Sequence, residues 1–252
     1  MTPETPAGND FNAYQYQDLL ARSRDQYAHT KYRILLEWLG AERKPLRILN
    51  AGCGSGDLSF LLAGAGHEIL GIDPSRAYVE LARQTAAALA MPRCTFKVCS
   101  IEDLQVGEPF DCVIATDVIE HIKDDVNAVR KLVACVRPGG LLMLTVPAGQ
   151  WLFGFHDESL GHFRRYSIRS LRQAVGGGVA IERERYFGFT LIPVCLLYSR
   201  ILRRAYPLSA SGDSQASPFS SAVLRALMLL DKALPLPFGT SVLLKGRLPA
   251  AR

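Results

Sequence analysis

Gly52, Gly54 and Gly56 alternate through the run Asn50-Ala51-Gly52-Cys53-Gly54-Ser55-Gly56-Asp57, and Asp73 follows further along the chain. Glycines are needed where a backbone turns sharply and approaches a ligand closely. A loop that feeds a helix N-terminus also offers unpaired N–H groups to an anion or carboxylate. An acid about 20 residues beyond the first glycine, at the end of the next strand, can accept hydrogen bonds from both hydroxyls of a ribose. Glycine loop, helix, strand and acid together make an adenosine-binding arrangement. The dinucleotide pattern G-x-G-x-x-G would require a third glycine where Asp57 stands, so the spacing argues against a nicotinamide-dependent oxidoreductase.

These residues need a strand–turn–helix frame, and the flanking sequence supplies one. Apolar strands are expected over 46–51, 67–73, 94–99, 110–116 and 141–146. Helical segments over 57–65, 74–90 and 124–136 separate them. Strands that are almost wholly apolar, alternating with helices, predict a parallel sheet covered on both faces. Ahead of this frame, residues 1–10 read as a tail and 11–39 as a helix stopped by Gly40. Behind it, 167–175 reads as a helix with Ser167 as N-cap, and 179–187 and 241–248 read as two more strands. The intervening 188–238 is an insertion with apolar stretches at 189–202 and 223–230 around a Ser-rich loop.

Composition sets the outer bounds. Of 252 residues, 48% are hydrophobic and 21% charged, as in an ordinary globular enzyme. The net charge of +5 comes without a dense basic stripe, so nucleic acid is not an expected partner. The six cysteines include no C-x-x-C pair and read as buried thiols of a reducing, cytoplasmic compartment. The start Met1-Thr2-Pro3-Glu4 carries no basic segment followed by an apolar run, so no secretory signal is expected.

The runs ILNAGCGSGDLS, ILGIDPS, FDCVIATDVIEHI and VRPGGLLMLTVP, in unbroken order over residues 45–150, resemble the successive motifs of class I S-adenosylmethionine-dependent methyltransferases. Within that class the chain looks closest to small-molecule enzymes related to the quinone-biosynthesis O-methyltransferases. The resemblance implies an α/β, Rossmann-like, seven-stranded and mostly parallel sheet with helices on both faces. One domain would then span 1–252: an N-terminal helical cap (11–40), the core (45–187 and 239–250), and an apolar lid inserted at 188–238 before the last strand. It implies S-adenosyl-L-methionine as cofactor. The backbone at Ala51, Gly52 and Gly54 would hold its amino-acid end. Asp73 would bind the ribose, with Pro74 beside it, and Ile101 and Glu102 would flank the adenine. Thr116 and Asp117 would line the mouth where donor meets acceptor.

Methylating a hydroxyl needs a group to take its proton, and histidine suits that near neutral pH. His121 follows the fourth strand, and His156 and His162 follow the fifth. His156, oriented by Asp157, is the expected base, and His121 is expected to orient the loop. His156, Asp157, Glu158 and His162 match no standard metal spacing, so no metal is expected. Arg164, Arg165, Arg169 and Arg172 form the densest basic run and suit an anionic substrate group or a solvated helix face. The stretch 189–204 is apolar, ends in arginines and is interrupted by Pro193. It reads as a lid over the site, with peripheral membrane contact as the alternative. The expected activity is methyl transfer, by O-methylation, to a small apolar acceptor of quinone, polyketide or isoprenoid type. A nucleic-acid methyltransferase or a non-catalytic S-adenosylmethionine-binding protein is the alternative. An amino-methylating nucleic-acid enzyme would carry Asn/Asp-Pro-Pro-Tyr where this chain has Thr116-Asp117-Val118-Ile119.

Overall fold

The computed structural model describes residues 25–40, 42, 45–105, 107–204, 218–234 and 236–250. The expected helix over 11–24 lies outside them. The described residues open on α1 (Gln26–Leu39), whose first turn is capped by the Asp25 carboxylate accepting from the N–H groups of Tyr27 and Ala28. Then strand and helix alternate: β1 (Arg47–Ala51), α2 (Asp57–Gly64), β2 (Glu68–Asp73), α3 (Arg76–Ala88), β3 (Cys94–Val98), β4 (Phe110–Thr116), α4 (Asp125–Ala134) and β5 (Val136–Pro147). A short helix α5 (Phe155–Leu160) and α6 (Ile168–Val175) lead to β6 (Ala180–Phe187). After α7 (Ile192–Cys195) and α8 (Pro218–Ala233) the chain ends on β7 (Ser241–Arg247).

Among the described residues the strands form one seven-stranded sheet in the order β3-β2-β1-β4-β5-β7-β6. Strand β7 runs antiparallel to β5 and β6, and the other pairings are parallel. The expected Rossmann-like sheet with helices on both faces is therefore present. The reason is legible in β4: Cys112, Val113, Ile114 and Ala115 are all buried, as a strand covered on both faces requires. One apolar cluster joins α1, α2 and α3 to one face through Ile34, Leu35, Leu62 and Val79. The other joins α4 and α6 to the opposite face through Val129, Leu132 and Leu171. Strand β5 starts earlier than expected: Arg137-Pro138-Gly139-Gly140, with Gly139 at φ 72°, is an irregularity within its pairing to β4 instead of a free turn after the helix. All six cysteines are free, and five of them are buried.

The insertion does not stand apart from this core. Leu191, Ile192, Cys195 and Met228 belong to the same apolar cluster as Ile34 and Trp38. Helix α1 is fixed beside them: the Tyr27 hydroxyl lies 2.7 Å from Thr240 Oγ1 and from Ser241 Oγ, and its ring stacks on Phe187. Lys245, buried in β7, donates to the carbonyl of Trp38 at the other end of α1.

The strand order reverses between β1 and β4, and the crevice at their carboxyl ends is where an open α/β sheet binds ligands. Gly71 in β2 lies under this point. A Cβ there would sit 2.5 Å from Phe96 Cδ1 and 2.9 Å from Cys53 Sγ, both in the core. Gly71→Ala is expected to cost about 1–3 kcal/mol of stability by overpacking. Differential scanning calorimetry should show this as a fall of roughly 2–4 °C per kcal/mol.

Candidate active site

The loop after β1 is built by backbone geometry. Gly52, Gly54 and Gly56 all have positive φ (70°, 52° and 96°), a region that favours glycine. At Gly52 space adds to conformation, since a Cβ would lie 2.2 Å from Val118 Cγ2. The N–H groups of Gly52 and Cys53 both reach the Ile72 carbonyl, and Gly54 N–H donates to Asp73 Oδ2 at 2.9 Å. The other Asp73 oxygen accepts from Ser75 N–H at 2.9 Å. Asp73 thus pegs the loop, and each carboxylate oxygen keeps a further lone pair for a ribose hydroxyl. Pro74 and Glu102 are exposed, and Ile101 is buried in the apolar cluster behind the crevice.

Beyond β4, Thr116 and Asp117 reach the mouth, as their place at a strand end dictates. Asp117 adopts a left-handed backbone (φ 54°), which re-aims its side chain. Thr145 Oγ1 donates to Asp117 Oδ1, and the ammonium of Lys31 on α1 donates to Oδ2. Lys31 is buried. Burial pulls its ammonium down, but Asp117 and Tyr27 outweigh this and hold it above the ordinary lysine value. Burial also pushes the hydroxyls of Tyr27 and Tyr32 up to about 12. Sequence reasoning missed Lys31. The available signal was a lone cation on the apolar stripe of an amphipathic helix, which demands a partner.

Glu120 was missed as well. It is fully buried, and neither carboxyl oxygen has a hydrogen-bond partner. Burial, reinforced by Asp117, pushes its carboxyl well above the usual range.

The histidines sort differently from expectation. His156 and Asp157 fall on consecutive positions of α5, and neighbours one residue apart on a helix do not face each other. The His156 N–H is held by Ser199 Oγ at 3.1 Å, and burial lowers its imidazole to about 4. Asp157, the residue expected to orient His156, raises that imidazole by its charge but does not offset the burial. Gly161 turns the chain in a left-handed conformation (φ 73°) and returns His162 to Asp157. His162 Nδ1 lies 2.9 Å from Asp157 Oδ1, and Arg165 Nε donates to the same oxygen at 2.8 Å. Gly154 N–H donates to Asp157 Oδ2 at 3.0 Å. Burial opposes charge on Asp157, but these donors win and hold its carboxyl below the ordinary value. The rings of His121 and His162 meet edge to face at 4.5 Å.

Glu120, His121 and His162 each bring one ligand atom within 4.8 Å of the others. One carboxyl and two imidazoles make a donor set of the types divalent transition metals take. This grouping differs from the spacing weighed in the sequence, because it joins residues from either side of β5. The basic run is mostly committed within the molecule. Arg164 pairs with Asp125, Arg165 with Asp157, and Arg172 forks onto Glu184 with two bonds of 2.6 Å.

Residues 42–166 match the family model described as a methyltransferase domain. A ubiquinone biosynthesis O-methyltransferase of Methylocella silvestris is 42% identical over 145 residues, covering 52% of this chain and 56% of that protein. The same-named protein of Bradyrhizobium diazoefficiens is 33% identical over 109 residues, 42% of each chain. The chain thus spans about half the length of the curated relatives it matches. Among solved structures, the [4+2]-cyclase SpnF superposes with a TM-score of 0.61 at 20% identity, covering 87% of this chain and 81% of that one. Magnesium protoporphyrin IX methyltransferase from Synechocystis PCC 6803 gives 0.57 at 19% identity, covering 98% and 86%. At these identities the likeness is one of fold.

Removing the Asp157 charge tests the network. Asp157→Asn should cost on the order of 3 kcal/mol at neutral pH, as breaking a buried ion pair does. A carboxylate whose folded value is depressed stabilises above its unfolded value, about 3.9, and loses that contribution as pH falls through the folded value. The melting-temperature gap between parent and variant should therefore be widest near pH 7 and narrow below pH 4.

Proposed function

We propose that this chain, whose residues 42–166 match a methyltransferase-domain family model, uses S-adenosylmethionine to methylate a hydroxyl oxygen of a small apolar acceptor. The observation that carries the reading is the Asp73-pegged glycine loop, which opens at the sheet's switch point beside Asp117 and the histidine pair. The residues fit the donor. Gly52 leaves no room for a side chain, so backbone lines the cradle, and Asp73 retains acceptor capacity toward a ribose. Ala51, Gly52 and Gly54 would hold the amino-acid end, Asp73 the ribose, and the segment at Ile101 and Glu102 the adenine edge. The donor supplies an already activated methyl group. The chain's own contribution is to hold the two reactants in line and to accept the proton.

Two observations support the acceptor class. The relatives are named for O-methylation in ubiquinone biosynthesis. Apolar side chains also collect beside the loop that carries the histidines. Among the described residues, Trp151, Leu160, Leu197, Ile201 and Leu202 stay exposed, Ile201 at 71%. Arg200 donates to the carbonyl of Phe153 and Arg203 to Glu158, which fixes the 196–201 segment against this loop. An apolar rim set with arginines suits an apolar acceptor and contact with an anionic bilayer surface. No helix among the described residues is long and apolar enough to cross a membrane.

Calorimetric titration with S-adenosylhomocysteine should show binding, with NAD showing none. Asp73→Asn keeps the side-chain shape and should weaken binding about 10- to 100-fold, the loss of a charge-assisted hydrogen bond. Unchanged affinity in that variant would remove the ribose assignment. For the rim, co-sedimentation with phosphatidylcholine–phosphatidylglycerol vesicles should be lost in the double variant Ile201→Asp, Leu202→Asp. Equal sedimentation of parent and variant would dismiss membrane contact.

A further inference from the structure

We propose that His162, held by Asp157 and Arg165, is the catalytic base that takes the proton of the hydroxyl being methylated; this rests on the methyl-transfer reading above. Asp157 is completely buried, and its charge is matched by Arg165, which is also buried. A permanently cationic guanidinium on Oδ1 keeps the carboxylate ionised, because arginine does not lose its proton in proteins. An ionised carboxylate at 2.9 Å from Nδ1 fixes the ring proton on that nitrogen and leaves the Nε2 lone pair as the ring's acceptor. This is the same division of labour by which an aspartate orients the base of a hydrolytic triad.

Position supports the role as well as tautomer. His162 packs edge to face on His121 and brings a ring nitrogen within 4.8 Å of Glu120, directly beyond the strand end that bears Asp117. Arg165 anchors the far side by donating also to the carbonyl of Ala148, where β5 leaves the sheet. The dyad is thereby fixed to two strand ends of the crevice. Asp157, hydrogen-bonded to Nδ1 and paired with Arg165, is the carboxylate that sets the ring's tautomer. The two Asp157 oxygens accept from Arg165 and Gly154 and meet His162, while His156 holds Ser199 through its backbone N–H.

The step balances without a further reagent. The acceptor O–H bond breaks and its proton goes to Nε2. An oxygen lone pair forms the new O–CH3 bond. The electron pair of the breaking methyl–sulfur bond stays on sulfur and cancels the sulfonium charge, and the imidazolium later gives its proton to water.

Two measurements on the full chain test this. In the first, His162→Gln is compared with the parent on catechol, whose hydroxyl must lose a proton, and on 4-nitrocatechol, which is largely ionised already. General-base loss predicts a fall in kcat of about 10²- to 10⁴-fold on catechol. On 4-nitrocatechol the fall should be less than tenfold, with S-adenosylhomocysteine affinity unchanged. Equal losses on both probes would overturn the proposal. In the second, long-range 1H–15N correlation of the labelled parent, with His162 assigned by its absence from the variant, should show a protonated Nδ1 and a bare Nε2. A protonated Nε2, or a ring signal that changes on adding a chelator, would also overturn it. If the parent turns over neither probe, the tautomer decides the proposal, and the binding titration separately decides the methyl-transfer reading.

Discussion

The carboxylate of Asp73 fixes the geometry on which the crevice depends. It sits at the end of β2 and accepts backbone N–H groups from the loop after β1 and from the start of α3. One side chain therefore ties two strand–helix junctions together at the reversal point of the sheet. The glycines follow from this tie. A loop drawn down onto a carboxylate at this distance must pass through left-handed conformations, and Val118 closes the space a side chain would need at Gly52. The fold-level likeness to a [4+2]-cyclase shows that such a frame hosts more than one chemistry, so function has to be argued from the side chains around it.

Around the crevice the buried charges balance. Lys31 answers Asp117, and Arg165 answers Asp157. Glu120 has no hydrogen-bond partner for its oxygens among the described residues, and burial raises its carboxyl well above the usual range. A buried charge without a counter-ion costs several kcal/mol, so each ionised member depends on its own partner. The arrangement also ties distant parts of the chain to the mouth. Lys31 brings in α1, which Tyr27 and Lys245 fasten to β7, and Arg165 brings in the segment after β5.

The insertion before β7 has two faces with different jobs. Its inner face joins the core beside α1, which makes it part of the domain's packing rather than a separable flap. Its outer face leaves apolar side chains in solvent next to the histidine-bearing loop. Both faces come from one apolar stretch, which Pro193 enters in the first turn of the short α7 and which stays helical to Ile201.

The sequence by itself determined the frame and the glycine loop that Asp73 holds. Strand periodicity, the glycine spacing and the acid at the end of β2 are properties of contiguous residues, because the chemistry of a turn and the pleat of a strand are local. The histidine-bearing segment was legible on the same ground as a polar loop after a buried strand. Which histidine meets the carboxylate was not. Consecutive His156 and Asp157 look paired on paper, but a left-handed glycine five residues after His156 brings His162 to the same carboxylate. Lys31 and Asp117 lie 86 positions apart, and Glu120 joins His162 across β5. Those pairings exist only once α1 and the loop after β5 pack over the same strand ends, where burial decides which groups keep their charge.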